Sequence, residues 1–325
     1  MKISQLKRIV ITLGLMIASF QFVSLAMPAP VSASMGLEMA LASDLEQSQS
    51  SNQTSLTLSD IKDLDRRKPK TKKSPAYLDS VGKITVYLTN NNEVLHCSGT
   101  LISAMPGQAS RVVKSAGHCF GSTVTGKRYQ IRKIKWEVTT KPGVRILKHL
   151  TLEYLVLEED LALLSFKEKI PFRIVKPAIL VNLNRPGSGR DQVIYMINAN
   201  SNNTVIAAGF STYIDRMDDK HILAYDNRIT SSSFTDETIN GHDFSIRTVS
   251  FSGSSGGACL LRGDLSEAGI DNPRSQLVYL GTLLSIRPDH GLYKNRFLGI
   301  IGSPLTFFKS FNVIDFERVN TLNRE

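Results

Sequence analysis

The chain has 325 residues, of which 42% are hydrophobic and 21% charged, enough to bury a sizeable core in one domain or in two half-domains. Its formal net charge of +10 permits contact with anionic surfaces, yet much of that charge sits near the N-terminus and no stacked-aromatic or nucleic-acid motif accompanies it, which excludes nucleic acid as the expected partner. Three cysteines make one pair and one leftover, and the histidines lack metal-ligand spacing, so neither a metal nor any other cofactor is expected.

In chain order, Lys2, Lys7 and Arg8 precede an apolar stretch from Ile9 to about Ala26, followed by the small-residue phrases Ser-Leu-Ala and Val-Ser-Ala. That is the layout of a secretory signal peptide over residues 1–33, cleaved after Ala33 or Ala26, and it predicts a secreted or periplasmic protein. An uncleaved membrane anchor is the rival, because the stretch approaches spanning length. Residues 34–77 change character. The Ser/Gln-rich tract at 48–55 has too little apolar surface to offset its ordering entropy, and residues 66–73 carry six basic side chains broken only by Pro69 and Thr71. The expectation is a propeptide or disordered basic tether, solvated and sensitive to proteases.

From Val81 onward the pattern is that of strands. Ile84, Val86 and Leu88 alternate with Thr85, Tyr87 and Thr89, and after a turn at 90–92 comes a strand over 94–103. Further strands are predicted over 111–115, 129–138, 145–157 and 161–166, then a connector over 171–177. A second set follows at 192–197, 204–213, 222–229, 258–261, 277–286 and 297–301. Short strands separated by polar turns predict an all-β barrel or sandwich. Residues 304–323, with Phe307, Phe308, Phe311 and Ile314 at mixed helical spacing, are expected to close the chain as a helix. The two half-domains are taken as 78–175 and 176–325.

Three segments carry chemistry: SAGHC at 115–119, EEDLALL at 158–164 and GSSGGA at 253–258. They supply His118, Asp160 and Ser255. A serine hydroxyl is a poor nucleophile until an imidazole takes its proton and a carboxylate holds that imidazole in the right tautomer. Gly253, Gly256 and Gly257 allow the tight backbone that presents Ser255 and points amide N–H groups at a developing oxyanion. Cys97 stands upstream in HCSGTLIS.

Together these phrases resemble the trypsin/chymotrypsin-like serine peptidases, whose corresponding motifs read TAAHC, DIALL and GDSGGP. The likeness covers residues 78–315. It implies two six-stranded antiparallel Greek-key β-barrels with the active site in the cleft between them. It also implies a serine endopeptidase that forms an acyl-enzyme on Ser255, with His118 as general base, Asp160 as its orienting partner and an oxyanion hole from the N–H groups of Gly253 and Ser255. A Cys97–Cys119 disulfide is implied as well, leaving Cys259 as a small core residue. Val249, six positions before Ser255, corresponds to the base of the primary pocket, and Ser285 or Leu284 to a substrate-binding serine. His242 is a further candidate, for binding an acidic substrate side chain. Three departures, Ser254 for Asp, Ala258 for Pro and Gly117 for Ala, point to a divergent, bacterial member and leave its activation as a zymogen open. The expected partners are protein or peptide substrates, with a monomer and no stable membrane association after signal cleavage. The alternative is a catalytically idle relative that binds protein partners.

Overall fold

The structure, a computed structural model, describes residues 55–89, 93–180, 189–211, 222–235, 244–263, 276–286, 293–295, 300–303, 305–309 and 313–324. The signal segment and most of the Ser/Gln tract lie outside these residues, as does His242.

Order begins well before the first predicted strand. Helix α1 (Leu58–Leu64) opens on a capping box in which the Asp60 N–H donates to Thr57 Oγ1 at 3.2 Å and the Thr57 N–H to Asp60 Oδ2 at 2.7 Å. Ile61 is fully buried. The basic run corrects the tether expectation: its centre is strand β1 (Lys68–Pro69), paired antiparallel through Lys68↔Tyr225 and Pro69↔Ala224. Proline is tolerated there because β1 is an edge strand.

The first half is a closed barrel. Its strands are β2 (Val81–Leu88), β3 (Val94–Ser103), β4 (Ser110–Ala116), β5 (Ile131–Thr139), β6 (Arg145–Val156) and β7 (Leu161–Ile170). They pair in the order β3-β2-β5-β6-β7-β4, and a β3–β4 ladder shuts the ring. Ile84, Val86 and Leu88 point inward as their alternation predicts, onto a core built around the fully buried Trp136. The indole N–H of Trp136 donates to Gly99 O at 2.9 Å, so this large side chain buries no unpaired donor. Strands β3, β4 and β7 are buried on both faces, which is why DLALL reads as a continuous apolar run rather than an alternation.

The implied disulfide is present, joining Cys97 on β3 to Cys119 just past β4. Cys259 is a free, buried thiol, and burial pushes its pKa far up, which keeps it protonated and inert. Non-reducing peptide mapping is expected to find Cys97 joined to Cys119 and Cys259 unpaired. Replacing the bridged pair with alanine is expected to cost about 3 kcal/mol in denaturant unfolding. A bridge involving Cys259 would contradict the strand register around the site.

Strand β8 (Ala178–Ile179) then runs parallel to both β3 and a strand of the second half, stitching the halves together. Residues 192–197, predicted as a strand, belong instead to helix α2 (Gly189–Asn198). Val193, Met196 and Ile197 are the buried set, and their one-turn spacing is helical.

The main sheet of the second half runs through β9 (Thr204–Ser211), β10 (Ile222–Ile229), β11 (Phe234–Thr235), β12 (Phe244–Ile246), β13 (Ala258–Arg262), β14 (Val278–Ile286) and β15 (Thr306–Lys309), paired β10-β9-β13-β14-β15-β12-β11, and a separate small sheet joins Ser250–Phe251, Ile300–Ser303 and Tyr293–Asn295. Both ends of that path, Ile229 on one side and Phe234 on the other, contribute to one core, so the sheet curls round on itself. Phe307 and Phe308, expected in the closing helix, lie in β15, where Phe308 stacks on Phe244 with ring centroids 5.3 Å apart. The closing helix is shorter, α3 (Val313–Arg324), and it caps the first barrel: Asn323 Oδ1 accepts from Ser110 Oγ and from the Arg111 N–H, both at 3.1 Å.

A third apolar cluster lies between the halves. Ile102, Val112, Leu161 and Leu163 meet Ile206, Leu260 and Tyr279, with Val319 and Leu322 of α3. The fold is therefore all-β, two antiparallel barrels packed face to face with a C-terminal helix.

Candidate active site

Strand β4 ends at Ala116 and turns at once into a single 3-10 turn, Gly117–Cys119, which carries His118. Asp160 sits in the turn between β6 and β7 at φ +50°, a left-handed conformation that Asp tolerates better than most residues. Its carboxylate accepts twice from His118. The backbone N–H donates to Oδ1 at 2.7 Å, and ring Nδ1 lies 2.8 Å from Oδ2 and 3.0 Å from Oδ1. A carboxylate at Nδ1 places the proton there and leaves the Nε2 lone pair of the neutral ring as the base. The side chains of His118 and Asp160 are 14% and 18% exposed, sheltered enough to be held yet open to a reacting group.

Gly117 has a steric reason. A Cβ at that position would stand 2.8 Å from Leu161 N and 3.0 Å from Asp160 C, so the backbone of the His118 turn touches the backbone of the Asp160 turn. Tyr129 is a neighbour that sequence reasoning missed. Burial, reinforced by the negative charges of Asp160 and Glu93, pushes its phenol up to about 12, so it is neutral across the ordinary working range and cannot act as a base.

Ser255 lies in a tight loop ahead of β13. The Ser254 N–H donates to Phe251 O at 3.0 Å, the Gly257 N–H to Ser254 O at 2.8 Å, and the Gly256 N–H to Leu283 O at 2.7 Å. Gly253 and Gly256 adopt φ +88° and +80°, which disfavour any side chain. At Gly256 there is also no room: an added Cβ would lie 2.2 Å from Ser115 Oγ and from Ser98 O, and 3.1 Å from Ala116 N. The residue after Ser255 is thus packed against the two residues that lead into His118. Ser255 Oγ itself lies 3.5 Å from Leu284 O, a long contact that leaves the hydroxyl loosely held.

Ser98, next to Cys97 on β3, is the knot of this arrangement, and nothing local in the sequence marks it. Its N–H donates to Ser255 O at 2.7 Å and its hydroxyl to Gly253 O at 3.0 Å, while its Oγ accepts from the Phe210 N–H at 2.7 Å. Ser98 O in turn accepts from Ser115 Oγ at 2.7 Å. One residue of the first barrel thereby holds the Ser255 loop of the second and the strand leading to His118.

Of the other predicted residues, Val249 is buried in the segment between β12 and the Ser255 loop. Ser285 lies in β14 at the register position opposite Phe307. Ser254 is buried. Glu158 and Glu159, beside Asp160, are exposed loop charges.

No family model matches the chain, and no curated protein matches it. Among solved structures the chain is similar to the protease Anisep from Arthrobacter nicotinovorans, at 13% identity over 80% of this chain and 100% of that one, with a TM-score of 0.48. It is similar to the thermostable serine protease AL20 from an extremophilic microorganism, at 15% identity over 77% of this chain and 99% of that one, with a TM-score of 0.46. The active form of the Rv3671c protease from M. tuberculosis gives 14% identity, 76% and 82% coverage, and a TM-score of 0.41. Likenesses this loose add nothing to what the strand order and the site geometry already carry.

Proposed function

We propose that the protein is a secreted serine endopeptidase. The observation that carries this is the Asp160–His118 pair, with its double contact at backbone N–H and ring Nδ1, beside a glycine-framed serine loop that packs on the strand leading to His118. His118 Nε2 takes the proton of Ser255 Oγ as Oγ attacks the scissile carbonyl, and the imidazolium returns that proton to the leaving amine. Asp160 stays ionised and stabilises the imidazolium. The N–H groups of Gly253 and Ser255 hold the oxyanion, each donor contributing about 3 kcal/mol to the transition state. Water then hydrolyses the acyl-enzyme with His118 again as base. Val249 shapes an apolar primary pocket, which argues against strict cleavage after Arg or Lys, and an extended peptide pairs along β14 near Ser285.

The test is labelling of the secreted protein with a fluorophosphonate, which requires nucleophile, base and oxyanion hole at once. One label per chain, on Ser255, is expected. Labelling and peptide hydrolysis should both rise with pH, because only the neutral imidazole accepts the serine proton. A rate that is flat from about pH 5 to 9 would contradict a histidine base. No labelling of the folded protein would leave a binding protein on a peptidase fold.

A further inference from the structure

We infer that the segment from Thr57 to Ser80 is a permanent strap of the working protein, and that Arg66 and Arg67 within it are positioning residues for the Ser255 loop. Any maturation cut then falls before Thr57. The inference rests on the function proposed above and deepens it.

The strap grips residues 247–251, which contain Val249 and lead directly into the Ser255 loop. Arg66 Nη2 donates to Arg247 O at 3.0 Å and lies 3.3 Å from Asp226 Oδ2, and that same oxygen accepts from Thr248 Oγ1 at 3.2 Å. At the far end of the segment, the Arg67 guanidinium stands 4.7 Å from the centroid of the Phe251 ring. Phe251 O is the acceptor for the Ser254 N–H, so a shift of Phe251 moves the residue next to the nucleophile.

Arg67 is built in rather than lying on the surface. It forks onto Asp65 through Nε to Oδ1 and Nη2 to Oδ2, both at 2.8 Å, and its Nη1 donates to Ser211 Oγ at 2.8 Å. The side chains of Arg67 and Asp65 are only 5% and 1% exposed. A solvated tether has no reason to bury an ion pair, which costs desolvation unless its geometry is fixed by partners; a planar guanidinium with its donors satisfied defines one arrangement of what it touches. Beyond Arg67 the strap is also tied to the first barrel, where Lys70 Nζ donates to Thr139 O at 2.8 Å and Asp79 Oδ2 accepts from the Lys141 N–H at 2.9 Å.

The test uses the full secreted chain with Arg66→Ala and, separately, Arg67→Lys. Arg66 is 38% exposed, and without it the buried Asp226 still accepts from the Arg228 N–H at 2.9 Å and from Thr248 Oγ1 at 3.2 Å, with the Arg228 guanidinium 3.9 Å away; Arg67→Lys keeps the charge and removes the fork. Hydrogen exchange over residues 247–257 is expected to quicken about tenfold or more in each, with exchange in the first barrel unchanged. The kcat on a peptide substrate should fall about tenfold with the Arg66→Ala melting temperature held near wild type. Wild-type exchange over 247–257 in both variants would overturn the inference, and so would acceleration spread evenly over the chain. Exchange is read without catalysis: a wild type that takes no fluorophosphonate refutes the peptidase assignment, whereas unchanged exchange refutes the strap.

Discussion

Replacing Ser255 with alanine is expected to abolish peptide hydrolysis and fluorophosphonate labelling while the protein stays folded. The Ser255 main chain, not its hydroxyl, makes the contact that fixes the loop, through Ser255 O accepting from the Ser98 N–H at 2.7 Å. Among the described residues Oγ makes only the long approach to Leu284 O, so its removal costs little stability. The loss in kcat should be on the order of a millionfold, as for serine peptidases stripped of their nucleophile, with a weak background from the oxyanion donors and substrate binding. His118→Ala should be as severe, and the double variant no worse than either single one, because nucleophile and base act as a unit. Turnover within about a hundredfold of wild type in Ser255→Ala would remove Ser255 from the nucleophile role.

How far residue order alone reaches depends on the distance over which each feature is decided. The alternation of Ile84, Val86 and Leu88 is local, and β2 follows it. The His118, Asp160 and Ser255 phrases were legible for the same reason: each is a short turn whose glycines or acid are demanded by the backbone next to them. Residues 192–197 form a short apolar run, the length at which strand and helix patterns overlap, and only the burial of Val193, Met196 and Ile197 together separates them. Phe308 is a strand residue because Phe244, far away in sequence, stacks on it. The basic run is the sharpest case. A stretch of Arg and Lys reads as solvated wherever its partners are unknown, and the partners of Arg67 are Asp65 nearby but also Ser211 and Phe251. Ser98 was invisible for the same reason, since its contacts with Gly253, Ser255 and Phe210 all lie across the junction of the barrels.

Asp160→Asn separates the orienting role of the carboxylate from its structural one. Asparagine tolerates the left-handed φ of +50° about as well as aspartate, so the turn between β6 and β7 keeps its shape. The amide oxygen can still accept from the His118 N–H, now served by Oδ1 at 2.7 Å. What it cannot do is accept at both positions: the remaining amide NH2 is a donor, and facing His118 Nδ1 it favours the tautomer with the proton on Nε2. That tautomer has no lone pair for the Ser255 proton, and the imidazolium formed during attack loses its counter-charge. The expected result is a fall in kcat of about 10⁴-fold, the loss found when a triad aspartate becomes asparagine, with KM and the melting temperature near wild type. Asp160→Ala should melt earlier than Asp160→Asn, because alanine meets the strained φ without a side-chain hydrogen bond to the His118 turn. A kcat for Asp160→Asn within about tenfold of wild type would show that another group orients His118. Tyr129, whose phenol is pushed up by burial and then by the charge of Asp160, would then be the first residue to replace.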